Sequence, residues 1–92
     1  MRIEPISPRV SVLLCTRNRP VKLRRAVEHI LASSYGDFEL IVVDQSTDKE
    51  SKRAVETIRD GRLVHIPTTT VGLSRARNIA IRAARNDIVV FT

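Results

Sequence analysis

Ninety-two residues carry 16 Lys+Arg against 10 Asp+Glu, a formal net charge of +6, with 42% apolar and 28% charged side chains. That composition excludes disorder and low complexity, and a chain this short folds as one domain burying a little over ~60% of its unfolded surface. One Tyr, two Phe and no Trp exclude a nucleic-acid module that reads bases by stacking them on aromatic rings.

Residues 1–9 are read as a leader, because Pro5 and Pro8 remove backbone donors and resist helix. Val10-Ser11-Val12-Leu13-Leu14-Cys15 is a short, β-branched, nearly continuous apolar run, which predicts a buried strand. The polar elbow Thr16-Arg17-Asn18-Arg19 follows, and Pro20 suits the first position of a helix. Leu23, Ala26, Val27, Ile30 and Leu31 then recur at helical spacing, with Gly36 as a left-handed cap.

Phe38 to Val43 predicts a second strand, which runs into Asp44-Gln45-Ser46-Thr47-Asp48. A second helix is expected from Lys49 to Arg59, with Ser51, Ala54, Val55 and Ile58 inward and Asp60-Gly61 as its stop. Leu63 to Ile66 is a third strand and Pro67 to Gly72 a loop. The third helix is expected from Ser74 to Ala84, ended by Asn86, before a fourth strand from Ile88 to Phe91. The order β-α-β-α-β-α-β, with crossovers long enough for right-handed parallel connections, predicts an α/β fold. Strands apolar on both sides make it a Rossmann-like open parallel sheet with helices on both faces.

Ligands of such sheets bind at the carboxyl ends of the strands, here Cys15 to Arg19, Asp44 to Ser46, Pro67 to Gly72, and Thr92. Strand-to-helix loops are polar in any case, because they cap helices and meet water; Asp48 and Ser74 are explained as N-caps. Asp44, between a core strand and a polar turn, has the better claim to a ligand. Neither GxGxxG nor GxxxxGK[ST] follows the first strand, where the turn reads CTRNRP, so a dinucleotide oxidoreductase and a P-loop NTPase are excluded. Side chains would have to hold any diphosphate, and arginine is suited to that.

On the third helix the expected core stripe is Leu73, Ala76, Ala80, Ala83 and Ala84, and Arg77 falls on it. A guanidinium on an inner face is costly unless paired, either with a carboxylate such as Asp44 or with an anionic ligand. The remaining basic residues, Arg24, Arg25, Lys49, Lys52, Arg53, Arg82 and Arg85, lie on solvent faces of different helices. No basic stripe is long enough to track a duplex, so no specific nucleic-acid partner is expected. Attraction to an anionic membrane surface stays open.

His29 and His65 have no partner nearby in sequence and are read as structural. Cys15, the single cysteine, excludes a disulfide framework and zinc spacing, and is read as a small core residue. A reducing compartment is the default. No apolar run reaches the ~18 residues that span a bilayer, and the N-terminus does not read as a signal peptide. The product is therefore expected in the cytoplasm, with the membrane face open. An unprotected edge strand would favour homo-oligomers.

Four segments in register carry a resemblance: VSVLLCTRNR, FELIVVDQSTD, GLSRARNIA and IVVFT. Together they resemble the N-terminal part of a family 2 glycosyltransferase of the GT-A fold, from Val10 to the last residue. The resemblance implies a partial GT-A nucleotide-sugar-binding domain over residues 10–92, taking UDP-, GDP- or dTDP-sugars. By position, Cys15, Thr16, Arg17 and Asn18 would line the nucleoside base. Asp44 and Gln45 would hydrogen-bond base or ribose, and Arg77 and Asn78 match the family's Arg-Asn near the nucleotide. Arg17 stands where members often have an aromatic, and Gln45 where they often have a second acid.

In the family the fourth strand runs into an acidic DXD motif that holds Mg²⁺ or Mn²⁺. This chain ends at Phe91-Thr92, so its metal ligands and catalytic base are expected to be missing and the chain inactive alone. The alternatives from other classes are a small non-catalytic α/β module that binds a nucleotide or a partner, and a basic domain that binds RNA or anionic lipid.

Overall fold

In a computed structural model, which describes residues 10–33 and 37–84 in full and the backbone of 88–91, seven elements alternate along the chain. They are β1 (Val10–Thr16), α1 (Pro20–Leu31), β2 (Phe38–Asp44), α2 (Glu50–Glu56), β3 (Leu63–Pro67), α3 (Leu73–Ala83) and β4 (Ile88–Phe91). The strands form one sheet in the order β3-β2-β1-β4, parallel at every pairing. The expected leader, the Gly36 cap and the Asn86 stop lie outside the described residues.

β2 is buried along nearly its whole length, because helices cover both faces of a central parallel strand. Alternate β2 residues divide the interior in two. Phe38, Leu40 and Val42 join Leu23, Val27 and Val55 under α1 and α2. Ile41 and Val43 join Leu13, Ala76 and Ala80 under α3. Each large aliphatic chain so buried contributes roughly 1.5–3 kcal/mol. Ser11 is also fully buried; the register sets it opposite Glu39, whose Oε2 accepts its hydroxyl at 2.7 Å.

After β3 the chain stops adding strands on one side. α3 crosses to the opposite face and β4 pairs with the other edge of β1. The order thus reverses at β1, so the carboxyl end of β1 borders the switch point at which open α/β sheets bind ligands.

Two helices depart from the sequence expectation. α2 ends at Glu56 rather than Arg59, and Nη1 of Arg24 on α1 donates to the Ala54 carbonyl at 2.7 Å and to Thr57 Oγ1 at 2.8 Å. Arg24 is therefore an interhelical clamp and not a purely solvated charge. α3 begins at Leu73, so Ser74 lies inside the helix and Gly72 takes the N-cap position.

The inner stripe of α3 is rotated as well. Leu73 is 58% exposed, while Ile79 packs with Ala76, Ala80 and Ala83 on the core. At about 100° per residue, exchanging Leu73 for Ile79 moves the stripe's centre away from Arg77. Arg77 is accordingly exposed, and the buried guanidinium expected from the sequence is corrected.

Candidate functional site

A cavity of about 440 Å³ opens at the carboxyl ends of β1 and β2, lined by Cys15, Thr16, Arg17, Asn18, Arg19, Gln45 and Leu73. β1 delivers Cys15 and Thr16, and the β1–α1 loop supplies Arg17 to Arg19. The backbone N–H of Gln45, just past β2, donates to the Thr16 carbonyl at 2.8 Å, so the second loop is fixed to the end of β1.

Asn18 has φ 54, in the left-handed region that Asn tolerates better than most residues. Its Oδ1 accepts the Thr47 amide at 2.9 Å and the Thr47 hydroxyl at 3.1 Å. Its own amide donates to Ser46 Oγ at 2.8 Å. The β1–α1 and β2–α2 loops are therefore laced together by one side chain.

Gln45 is almost fully buried. Its Nε2 donates to the carbonyls of Thr70 at 2.7 Å and Gly72 at 3.0 Å. Two carbonyl acceptors require the NH₂ end of the amide there, so the orientation follows from the network. Both amide hydrogens are used, so Oε1 is the remaining hydrogen-bonding group of this side chain, which lines the cavity.

Asp44 lies behind the cavity rather than in its wall. The carboxylate is nearly fully buried and is turned to His65, with Oδ2 at 2.9 Å from Nε2. Oδ1 accepts the Ser46 amide at 2.9 Å. Burial pushes this carboxyl upward, but hydrogen bonds from Ser46 and His65 outweigh it and hold the group below its ordinary value. His65, read from sequence as partnerless, is thus the carboxylate's partner.

Cys15 behaves oppositely. Burial raises its thiol, and the nearby Arg77 charge only partly offsets that. Arg77 is exposed, yet its charge reaches the cavity wall at Cys15. Arg77 and Asn78 themselves are not among the lining residues. Of the expected site residues, the structure gathers Cys15, Thr16, Arg17, Asn18 and Gln45 at the cavity.

Sequence reasoning placed Arg19 in the elbow at the end of the first strand but gave it no role at the site, and the structure puts it in the cavity wall. Leu73 was missed because it was counted as core. Neither α1 nor α3 has an acidic residue in its first turn, so the helix ends nearest the cavity keep their partial positive charge.

The sequence model of glycosyl transferase family 2 matches residues 11–92. The chain belongs to this family. Its fold resembles that of a mannosyltransferase from Pyrobaculum calidifontis, PcManGT, solved in complex with GDP-Man and Mn²⁺, with a TM-score of 0.78 and 32% identity over 91% of this chain and 26% of that one. EpsJ of Bacillus subtilis (strain 168), named as an uncharacterised glycosyltransferase, is 31% identical over 86 residues, covering 91% of this chain and 25% of EpsJ. The UDP-Glc:alpha-D-GlcNAc-diphosphoundecaprenol beta-1,3-glucosyltransferase WfaP of Escherichia coli is 26% identical over 89% of this chain and 33% of its own length. The chain thus spans about a quarter to a third of these relatives. The sheet is that of a Rossmann-like GT-A N-terminal part, and the family is one of transferases.

Family membership implies a divalent metal. Among the described residues no group of three or more His, Cys, Asp and Glu is gathered to hold one. Three of the described acids also have partners within the fold: Asp44 with His65, Asp60 with Arg62, and Glu39 with Ser11. These residues do not fit a Mg²⁺ or Mn²⁺ site. No described helix is long and apolar enough to cross a membrane.

Proposed function

We propose that the cavity at the ends of β1 and β2 binds the nucleoside diphosphate part of a nucleotide-sugar donor, in a protein that transfers the sugar to an acceptor hydroxyl. The observation that carries this reading is the clamped Gln45 amide in the cavity wall. With both hydrogens spent, Gln45 can only accept. Uracil, thymine and guanine each present a ring N–H on the pairing edge, whereas adenine and cytosine present a bare ring nitrogen there. UDP, GDP and dTDP donors are therefore favoured over ADP and CDP donors.

Arg17 and Arg19 supply guanidinium groups for a diphosphate, and the acid-free N-terminus of α1 adds to the positive field. Thr16 adds a hydroxyl to the same wall. The complex of the structural neighbour with GDP-Man supports a nucleotide-sugar donor here. On this reading the described residues bind and orient the donor, and they do not by themselves transfer the sugar, because no carboxylate is among the residues that line the cavity.

Calorimetry with UDP, GDP, dTDP, ADP and CDP on this chain tests the reading. The first three are expected to bind at least about ten-fold more tightly than ADP and CDP, the cost of facing two acceptors at one contact. Gln45→Leu is expected to remove the discrimination. Equal affinity for ADP and UDP in the natural chain would refute the role given to Gln45.

A further inference from the structure

His65 makes its contact behind the cavity. The β2–β3 register sets His65 opposite Val42 and Pro67 opposite Asp44, so His65 and Asp44 leave the same face of the sheet. Their side chains are 16% and 5% exposed. An ionised carboxylate only accepts, so Nε2 of His65, at 2.9 Å from Oδ2, carries the hydrogen.

From this pair a chain of hydrogen bonds runs to the cavity. Asp44 Oδ1 accepts the Ser46 amide at 2.9 Å. Ser46 Oγ is held at 2.9 Å from the buried Ser51 Oγ and accepts the Asn18 amide at 2.8 Å. Asn18 is in a left-handed conformation that persists only where its surroundings enforce it. On either side of it, Arg17 and Arg19 line the cavity.

We propose that His65 is a positioning residue for the donor site: through Asp44 and Ser46 it holds the left-handed turn at Asn18 and thereby the aim of Arg17 and Arg19. The inference rests on the nucleotide-binding reading above. His65 itself lies outside the cavity wall and works by restraining one carboxylate oxygen. Without it, the Asp44 carboxylate is held only through Ser46, and the Ser46 turn that carries the acceptor of the Asn18 amide is held less firmly.

The test compares His65→Leu, which removes the donor, with His65→Gln, whose amide NH₂ can restore it near the Nε2 position. Two quantities are measured on the 92-residue chain: amide exchange at Asn18 and Thr47 by NMR without nucleotide, and affinity for GDP and UDP by calorimetry. His65→Leu is expected to speed exchange at both amides and to weaken nucleotide binding about five- to ten-fold, the worth of one lost hydrogen bond to a charged group. Exchange at Leu23 and Val27 in α1 should stay unchanged, and His65→Gln should recover most of both effects. Natural-level protection of Asn18 in His65→Leu would overturn the proposal, as would equal losses in the two variants. If His65→Leu also loses protection in α1, the Gln variant decides alone. If the natural chain binds neither nucleotide, the donor reading falls, while the exchange measurement still decides whether His65 holds the turn.

Discussion

Gly72 and Gln45 depend on each other. Gly72 has φ +121, a conformation that residues with a Cβ rarely adopt, and its carbonyl accepts one of the two Gln45 hydrogen bonds. A Cβ added there would meet nothing within 4 Å, so substitution meets backbone strain and no clash. Gly72→Ala is expected to lower the unfolding free energy by about 1–2 kcal/mol. If the loop relaxes instead, the Gly72 carbonyl turns away and Gln45 regains a free hydrogen, so discrimination between UDP and ADP should narrow. Urea unfolding checks the first effect and calorimetry the second. Natural stability together with natural discrimination would show that the turn does not need its glycine.

At the scale of elements, the helices differ in how closely they approach the sheet. Ala76 and Ala80 are fully buried against β1 and β2, so α3 packs on small side chains, whereas α1 brings Leu23 and Val27 to the other face. A larger side chain under α3 has no space to occupy. Ala80→Leu is expected to destabilise the fold by about 1–3 kcal/mol through overpacking, and a thermal scan showing no decrease would contradict the close approach. The order and type of the seven elements were legible in the sequence, because apolar runs and helical spacing are local signals. The rotation of α3 was not, since Leu73 and Ile79 fit the same wheel and only packing selects Ile79. Nor was the end of α2, which Arg24 meets from another helix. That the elbow from Cys15 to Asn18 lies at a carboxyl end of the sheet was legible from the strand order, whereas Gln45 was named as a site residue only through the family resemblance and its clamp to Thr70 and Gly72 was not legible. The Asp44–His65 pair was not legible either, because it joins residues 21 apart in sequence through the register of two strands.

At the scale of the whole molecule, a chain of net charge +6 depends on its few carboxylates remaining ionised. Hydrogen bonds from Arg62 hold the Asp60 carboxyl at about 2, below its ordinary 3.8. Arg62 also donates to the Leu31 carbonyl at 2.8 Å and lies 4.6 Å from the centre of the Phe38 ring, so this pair ties the end of α1 to the start of β3. The buried Asp44 carboxyl is likewise held below its ordinary value by Ser46 and His65, against the opposing effect of burial. A carboxyl depressed in the folded state binds its proton more readily when unfolded. The stability it provides is complete above the unfolded value of 3.8 and is lost as pH falls through the folded value. Protonation of the other acids adds positive charge and self-repulsion in the same range. The thermal midpoint is therefore expected to be flat with respect to Asp44 and Asp60 at and above about pH 5 and to fall steadily from about pH 4 towards pH 2. Asp60→Asn should lower the midpoint at neutral pH and make the acid limb shallower, because the substituted side chain has no proton to gain. An unchanged slope in that variant would mean that the Asp60–Arg62 pair contributes nothing to acid sensitivity, leaving Asp44 and general charge repulsion as its source.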